Sequence, residues 1–284
     1  MLGLFARAGA GLIPGASKLP VVGGDRNDDV PDLTLALDEL AIDPDRLSGY
    51  NRVCGFALGD TLPPTYLHIL AFPLALSLMT DPSFPFPAIG LVHIYNKITQ
   101  HRPVQVSETV ALCVSATPLQ PHPRGMQFSL LTEARVGYEL VWEEVSTNLR
   151  RSSSRAREEA AAPDVASTED VPATATWKLE GDLGRRYAAV SGDINPIHIH
   201  PLTARLFGFP SAIAHGMWTQ ARCLAALQAR LPDSFTVEAA FRKPIILPAT
   251  VDFASEESAD GVRFGVRDAR KATPHLDGRL SRGA

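Results

Sequence analysis

The chain has 284 residues, of which 45% are hydrophobic and 20% charged, with a formal net charge of −4. That balance is ordinary for a soluble chain with room for two domains, and the charge gives no support for a nucleic-acid partner or a polyanionic membrane surface. Cys54, Cys113 and Cys223 are odd in number and lie in apolar stretches, so they read as buried free thiols of a cytoplasmic protein.

At the amino terminus, MLGLFARAGAGLIPGASKLP places Arg7 inside the apolar run and interrupts it with Pro14 and Gly15. This does not fit a secretory signal, and residues 1–30 are expected to be an extension. Residues 31–149 form a first unit. Within it, Tyr66 to Met79 (YLHILAFPLALSLM) carries no Asp, Glu, Lys or Arg. The run is too short to span a bilayer and is interrupted by Pro73, so a buried helix is expected, with His68 packed in the core. The segments VQVSETVALCVSAT and MQFSLLTEARVGYELVWEEVSTNL then read as strands punctuated by PLQPHPRG. Residues 150–175, RRSSSRAREEAAAPDVASTEDVPATA, are rich in Ser, Ala, Pro and charge and read as a mobile linker. A second unit follows over 176–284, with strand-like FTVEAAFRKPIILPATVDFASEES and GVRFGVRDARK.

The two units share landmarks in one order. Tyr50 and Tyr187 precede a glycine in YNRVCG and YAAVSG; His68 and His215 mark an apolar helix-like run; Val92 and Val237 precede a proline in VHIYNKITQHRP and VEAAFRKPIILP. Recurrence of this kind indicates two copies of one unit, each a long helix with several antiparallel strands, an α+β arrangement. Aligning Gly55 with Gly192 puts Phe56 opposite Asp193 and Thr61 opposite His198. The first copy therefore lacks the second copy's ionisable pair, and also the stretch HPLTARLFGF.

The densest chemistry lies in YAAVSGDINPIHIHPLTARLFGFPSAIAHGM, Tyr187 to Met217. Pro196 pushes Asn195 into extended geometry, so the segment reads as a bent loop that aims Asp193 and His198 at one volume. Taken alone, an Asp-x-Asn-Pro stretch is more often a capped turn. His198 and His200 suggest a metal pair, but no third ligand stands at ligand spacing, and no metal is expected. Gly216, opening the run MWTQARCLAALQARL, is the expected backbone donor for a developing oxyanion at a helix start, flanked by Ser191 and His215. Arg242 and Lys243, or Arg185 and Arg186, are either solvated surface or a phosphate-binding cluster.

Thirteen residues of this window, Ser191, Gly192, Asp193, Asn195, Pro196, His198, Gly208, Phe209, Ile213, Ala214, His215, Gly216 and Met217, resemble the signature of the MaoC-like (R)-specific enoyl-thioester hydratases, or 3-hydroxyacyl-thioester dehydratases. The whole-chain layout is similar to their actinobacterial double hot-dog members. The resemblance implies a double hot-dog fold, two antiparallel sheets each wrapped around a long helix and joined into one. It implies reversible addition of water to a trans-2-enoyl thioester, with Asp193 and His198 as acid/base groups, Asn195 orienting them and Gly216 holding the thioester oxygen. Ser191, Gly192, His215, Arg242 and Lys243 are then expected to contact substrate. That substrate is a coenzyme A or acyl-carrier-protein thioester, with no resident cofactor and with a homodimer as the expected assembly. A thioesterase on the same fold and a non-catalytic acyl-thioester binding protein are the alternatives.

Overall fold

In the computed structural model, which describes residues 29–151 and 165–283, the first unit runs β1 (Leu35–Leu40), α1 (Pro44–Cys54), α2 (Tyr66–Met79), β2 (Val92–Gln100), β3 (Val110–Ala116), β4 (Gln120–His122), β5 (Gly125–Val136) and β6 (Glu139–Arg151). The second repeats that order. It runs β7 (Ala173–Leu179), α3 (Leu183–Ser191), the short helices α4 (Pro196–Ile199) and α5 (Pro201–Leu206), α6 (Gly216–Leu227), then β8 (Phe235–Phe241), β9 (Ala249–Ser258), β10 (Gly261–Asp268) and β11 (Pro274–Arg282).

The shared tyrosine-to-glycine landmark has a physical basis. Helix α1 starts where the Asp43 carboxylate accepts the N–H groups of Asp45 and Arg46, with Pro44 in its first turn, and it ends at Gly55 with φ 85°. Helix α3 ends the same way at Gly192, φ 82°. Both glycines take the left-handed conformation that closes a helix at little steric cost. Tyr50 and Tyr187 are buried one turn earlier and pack against each other with centroids 6.1 Å apart. Helix α2 contains Pro73, and the Ser77 hydroxyl donates to the Pro73 carbonyl at 2.8 Å.

All strands join one antiparallel sheet in the order β1-β3-β5-β6-β2-β8-β11-β10-β9-β7, with β4 on β5. Each half reads outward as the same series from the β2–β8 pair, whose register sets Tyr95 opposite Ala240 and Ile98 opposite Val237. This is the double hot-dog arrangement. One apolar core runs through both halves and includes Tyr66, Trp142, Tyr187, Phe235 and Phe264. None of the described helices is long and apolar enough to cross a membrane.

Three expectations need correction. PLQPHPRG is not only punctuation, because Gln120–His122 pair with Gln127–Gly125 as β4. The proposed linker is ordered where it is described: Val165, Thr168 and Val171 are buried, and the Thr168 N–H and hydroxyl both donate to the Asp277 carboxylate, at 2.9 and 2.7 Å. Residues 173–175 already belong to β7. Cys54 and Cys223 are buried, but Cys113 is only half-buried, because it lies on β3 beside edge strand β1. The amino-terminal signal reading and linker residues 152–164 fall outside the described residues.

Candidate active site

The loop after α3 is stapled by its own side chains. The Asp193 N–H donates to the Ser191 hydroxyl at 3.1 Å, the Asn195 N–H to Asp193 Oδ1 at 3.1 Å, and the Ile197 N–H to Asn195 Oδ1 at 3.4 Å. Each is a short polar side chain turning back onto backbone two residues away. From the first unit, Arg46 donates Nε to the Val190 carbonyl at 2.9 Å and a second nitrogen to the Ser191 carbonyl at 3.2 Å. It thereby holds the last carbonyls of α3.

The segment is a bent loop only as far as Asn195. Pro196 is the first residue of α4, Asn195 is its extended N-cap, and His198 rides on that helical turn. Proline suits a helix's first position because its missing N–H has no partner to lose there. Gly184 in α3 keeps this turn close, since a Cβ at Gly184 would stand 1.9 Å from the His198 carbonyl oxygen.

His198 and His215 stack with centroids 3.7 Å apart at 25°. His198 Nδ1 donates to the Ile213 carbonyl at 2.8 Å, which leaves Nε2 as the basic atom. His215 Nε2 donates to the Asp193 carbonyl at 3.0 Å and lies 3.7 Å from Asp193 Oδ2. Asp193 Oδ1 takes the Asn195 N–H, which leaves Oδ2 as the carboxylate oxygen on the His215 side. Burial pushes the His198 pKa down, against partial opposition from Asp193 and the Ile213 carbonyl. Burial, and then the neighbouring His198, push His215 well down. Both rings are neutral at pH 7.

These shifts predict how stability follows pH. In the unfolded chain each imidazole takes a proton near pH 6.5, whereas in the fold His198 and His215 resist it. Below that pH the unfolded state binds more protons, so their stability contribution is full above about pH 6.5 and declines as pH falls toward the folded values. The melting temperature should drop on acidification from about pH 7 to about pH 5. A flat profile over that range would contradict the buried, neutral stack.

The positive end of α6 completes the site. No side chain caps its first turn, and a Cβ at Gly216 would stand 3.0 Å from the Phe241 ring. A side chain there would crowd the Phe241 ring. Ser191, Asp193, Asn195, His198, His215 and Gly216 all border one cavity of about 230 Å³. Gly192 does not line it and serves as the helix stop.

The family described as MaoC like domain matches residues 164–278. Over 261 residues the chain is 40% identical to 3-hydroxyacyl-thioester dehydratase X of Mycobacterium tuberculosis, covering 92% of each. The chain belongs to the MaoC-like dehydratases. It is similar to the crystal structure of M. tuberculosis HtdX, with a TM-score of 0.79 and 38% identity over 88% of this chain and 100% of that one. A second M. tuberculosis protein, solved as a double hotdog fold, shares the architecture alone, with a TM-score of 0.56 at 14% identity over 92% of this chain and 96% of that one.

Other expected ligand groups of this MaoC-like dehydratase fare differently. Arg242 borders the cavity, but its guanidinium donates to buried Asp277 at 2.8 Å and to the Val165 carbonyl at 2.8 Å. Through these bonds it ties Val165 and, by way of Asp277, Thr168 to β11. Lys243 is exposed at the cavity rim. Arg185 reaches the Ile199 carbonyl at 3.3 Å and Arg186 pairs with Asp182 at 3.2 Å, so both are engaged locally. His200 accepts the Leu202 N–H at 3.1 Å as N-cap of α5. The missing third metal ligand does exist in space, since Asp193, His198 and His215 each bring one donor atom within 4.8 Å of the others. Two of their six possible ligand atoms, however, His198 Nδ1 and His215 Nε2, already bind backbone carbonyls, which suits proton transfer.

Sequence reasoning missed the wall opposite. The cavity is shared between the units, and the first contributes Phe72, Leu76, Met79 and Ile89 together with His68, His93 and Glu144. His68 is thus not simply packed in a core: its Nδ1 meets Glu144 Oε1 at 2.8 Å. The available signal was β6 itself, where Glu144, Ser146 and Asn148 alternate on one face of a strand that should have been apolar.

Proposed function

We propose that the chain is an (R)-specific 3-hydroxyacyl-thioester dehydratase, catalysing reversible syn removal or addition of water at a trans-2-enoyl thioester in fatty-acid metabolism. The observation that carries this reading is the convergence of Asp193 Oδ2 and His198 Nε2 on one cavity beside the uncapped start of α6.

In the hydration direction, a water between these two bases gives a proton to one of them as its oxygen bonds C3 of the enoyl group. The C2–C3 π electrons move toward the thioester oxygen, and a proton is then delivered to C2 from the same side. One H and one OH are added, both on one face, because both groups belong to one short loop. The thioester oxygen gathers charge and is met by the N–H groups at Gly216, where the helix dipole also favours it. Neutral His198 suits this role, since it can accept a proton near pH 7 and return it. Lys243 at the rim supplies a cation for the phosphates of coenzyme A or a carrier arm. A cytoplasmic setting accords with three unpaired cysteines, and a homodimer with the outer edges of β1 and β7, unpaired among the described residues.

The test is loss of enoyl absorbance with short and long trans-2-enoyl coenzyme A, with chiral analysis of the product. Formation of the (R)-3-hydroxyacyl thioester is expected. Release of free coenzyme A without hydration would replace this reading with a thioesterase, and binding without either product would indicate a carrier.

A further inference from the structure

The polar groups on the first unit's side of the cavity form one connected chain. Glu144 accepts His68 Nδ1 at 2.8 and 3.0 Å through its two oxygens, and accepts the Asn96 amide at 2.6 Å. Asn96 in turn accepts Gln220 Nε2 at 2.9 Å, which carries the chain to α6 one turn beyond Gly216. His93 Nε2 meets the Ser146 hydroxyl at 2.9 Å, and its ring lies 6.4 Å from His68 and 4.7 Å from Phe241. Burial disfavours charge on both His68 and Glu144, but each partner outweighs it, raising the one pKa and lowering the other. His93, by contrast, is pushed down to about 4 by burial and then by His68. An ion pair therefore sits in the wall beside a neutral imidazole.

A wall made for unadorned hydrocarbon gains from apolar side chains, and a buried ion pair is at best about neutral against apolar residues of equal volume. The pair is therefore not explained by stability, and the proton transfers at Asp193 and His198 do not use it. Its orientation is informative. The Glu144 side chain is 2% exposed and that of His68 18%. With Nδ1 turned to Glu144, His68 Nε2–H lies across the ring on the other side, and no described residue accepts from it. The charges of the pair cancel and Asp193 adds a further negative charge felt by His68, so the group that fits this donor is a neutral oxygen rather than a carboxylate.

We propose that His68, Glu144 and Ser146 form a subsite for an oxygen-bearing substituent of the acyl group, so that the substrate class is acyl thioesters with a hydroxyl or keto oxygen beyond C3. This deepens, and rests on, the dehydratase reading above. Nε2–H of His68 donates to the substituent, Glu144 holds the imidazolium in place, and Ser146 offers a second hydroxyl on the same strand face. A chain lacking the oxygen covers this donor without pairing it, and sites of that kind discriminate strongly against the plain analogue.

The experiment compares trans-2-enoyl coenzyme A substrates of equal length, unsubstituted and with one hydroxyl moved along the chain. Crotonyl thioesters of coenzyme A and of a carrier protein serve as the reference for turnover itself. The readout is the ratio of kcat/KM, hydroxylated over plain, within each protein, so a general loss of activity cancels. Wild type is expected to favour one positional isomer by at least about tenfold, equivalent to one hydrogen bond. The double substitution His68→Leu/Glu144→Met, which avoids stranding a buried charge, should bring the ratio to one or below. Ser146→Ala, a smaller change that keeps both charges, should reduce it. Preference for the plain chain at every position, or a preference that survives the double substitution, would overturn the subsite while leaving the hydratase reading intact. No hydration of any thioester, crotonyl references included, would overturn that reading and the subsite with it.

Discussion

Asp193→Asn is expected to lower kcat by about 10²–10⁴-fold, the range for a positioned acid/base group, with little change in melting temperature. The substitution keeps the Oδ1 position that accepts the Asn195 N–H, and the Asp193 backbone carbonyl still receives His215. Only the basic Oδ2, on a side chain 27% exposed, is lost. Steady-state hydration of an enoyl thioester beside a thermal melt tests this directly. A folded variant within about tenfold of wild type would remove Asp193 from proton transfer, since the group's minimum worth is larger than that.

His198→Ala should lower kcat by a similar about 10²–10⁴-fold, but with a second signature. The ring is buried, stacks on His215 and donates to the Ile213 carbonyl. Its removal opens a cavity and strands an acceptor, which costs about 1–3 kcal/mol for the lost hydrogen bond alone. Asp193 thus stands outside the core, whereas His198 is part of it. Paired kinetic and denaturation measurements should show Asp193→Asn lowering turnover alone and His198→Ala lowering turnover and stability together. Equal stability of the two variants would mean that the stack contributes nothing to the fold.

What the sequence revealed was whatever is written locally. Tyr50, Gly55, Tyr187 and Gly192 announced the duplication because each pair marks the same helix stop, and a left-handed stop demands glycine whatever the surroundings. Asp193, Asn195, Pro196 and His198 announced the loop because their mutual hydrogen bonds span only two or three positions. The cavity's other wall showed in the sequence only as the polar alternation of β6. Nothing near His68 indicates Glu144, since helix α2 and strand β6 meet only through the tertiary fold, and an apolar run with one histidine reads as core. Arg46 escaped for the same reason, its acceptors being the carbonyls of Val190 and Ser191 in the other unit. Arg242 misled in the opposite sense, because a basic pair after a strand looks available until buried Asp277 appears beside it.

Across the β2–β8 seam, the cavity sets the Asp193–His198 loop of one copy against α2 and β6 of the other. Here α2 and β6 can be rewritten while Asp193, His198 and α6 stay fixed. Substitutions on the α2 and β6 face of the cavity can therefore alter which acyl groups fit while leaving the Asp193–His198 loop untouched.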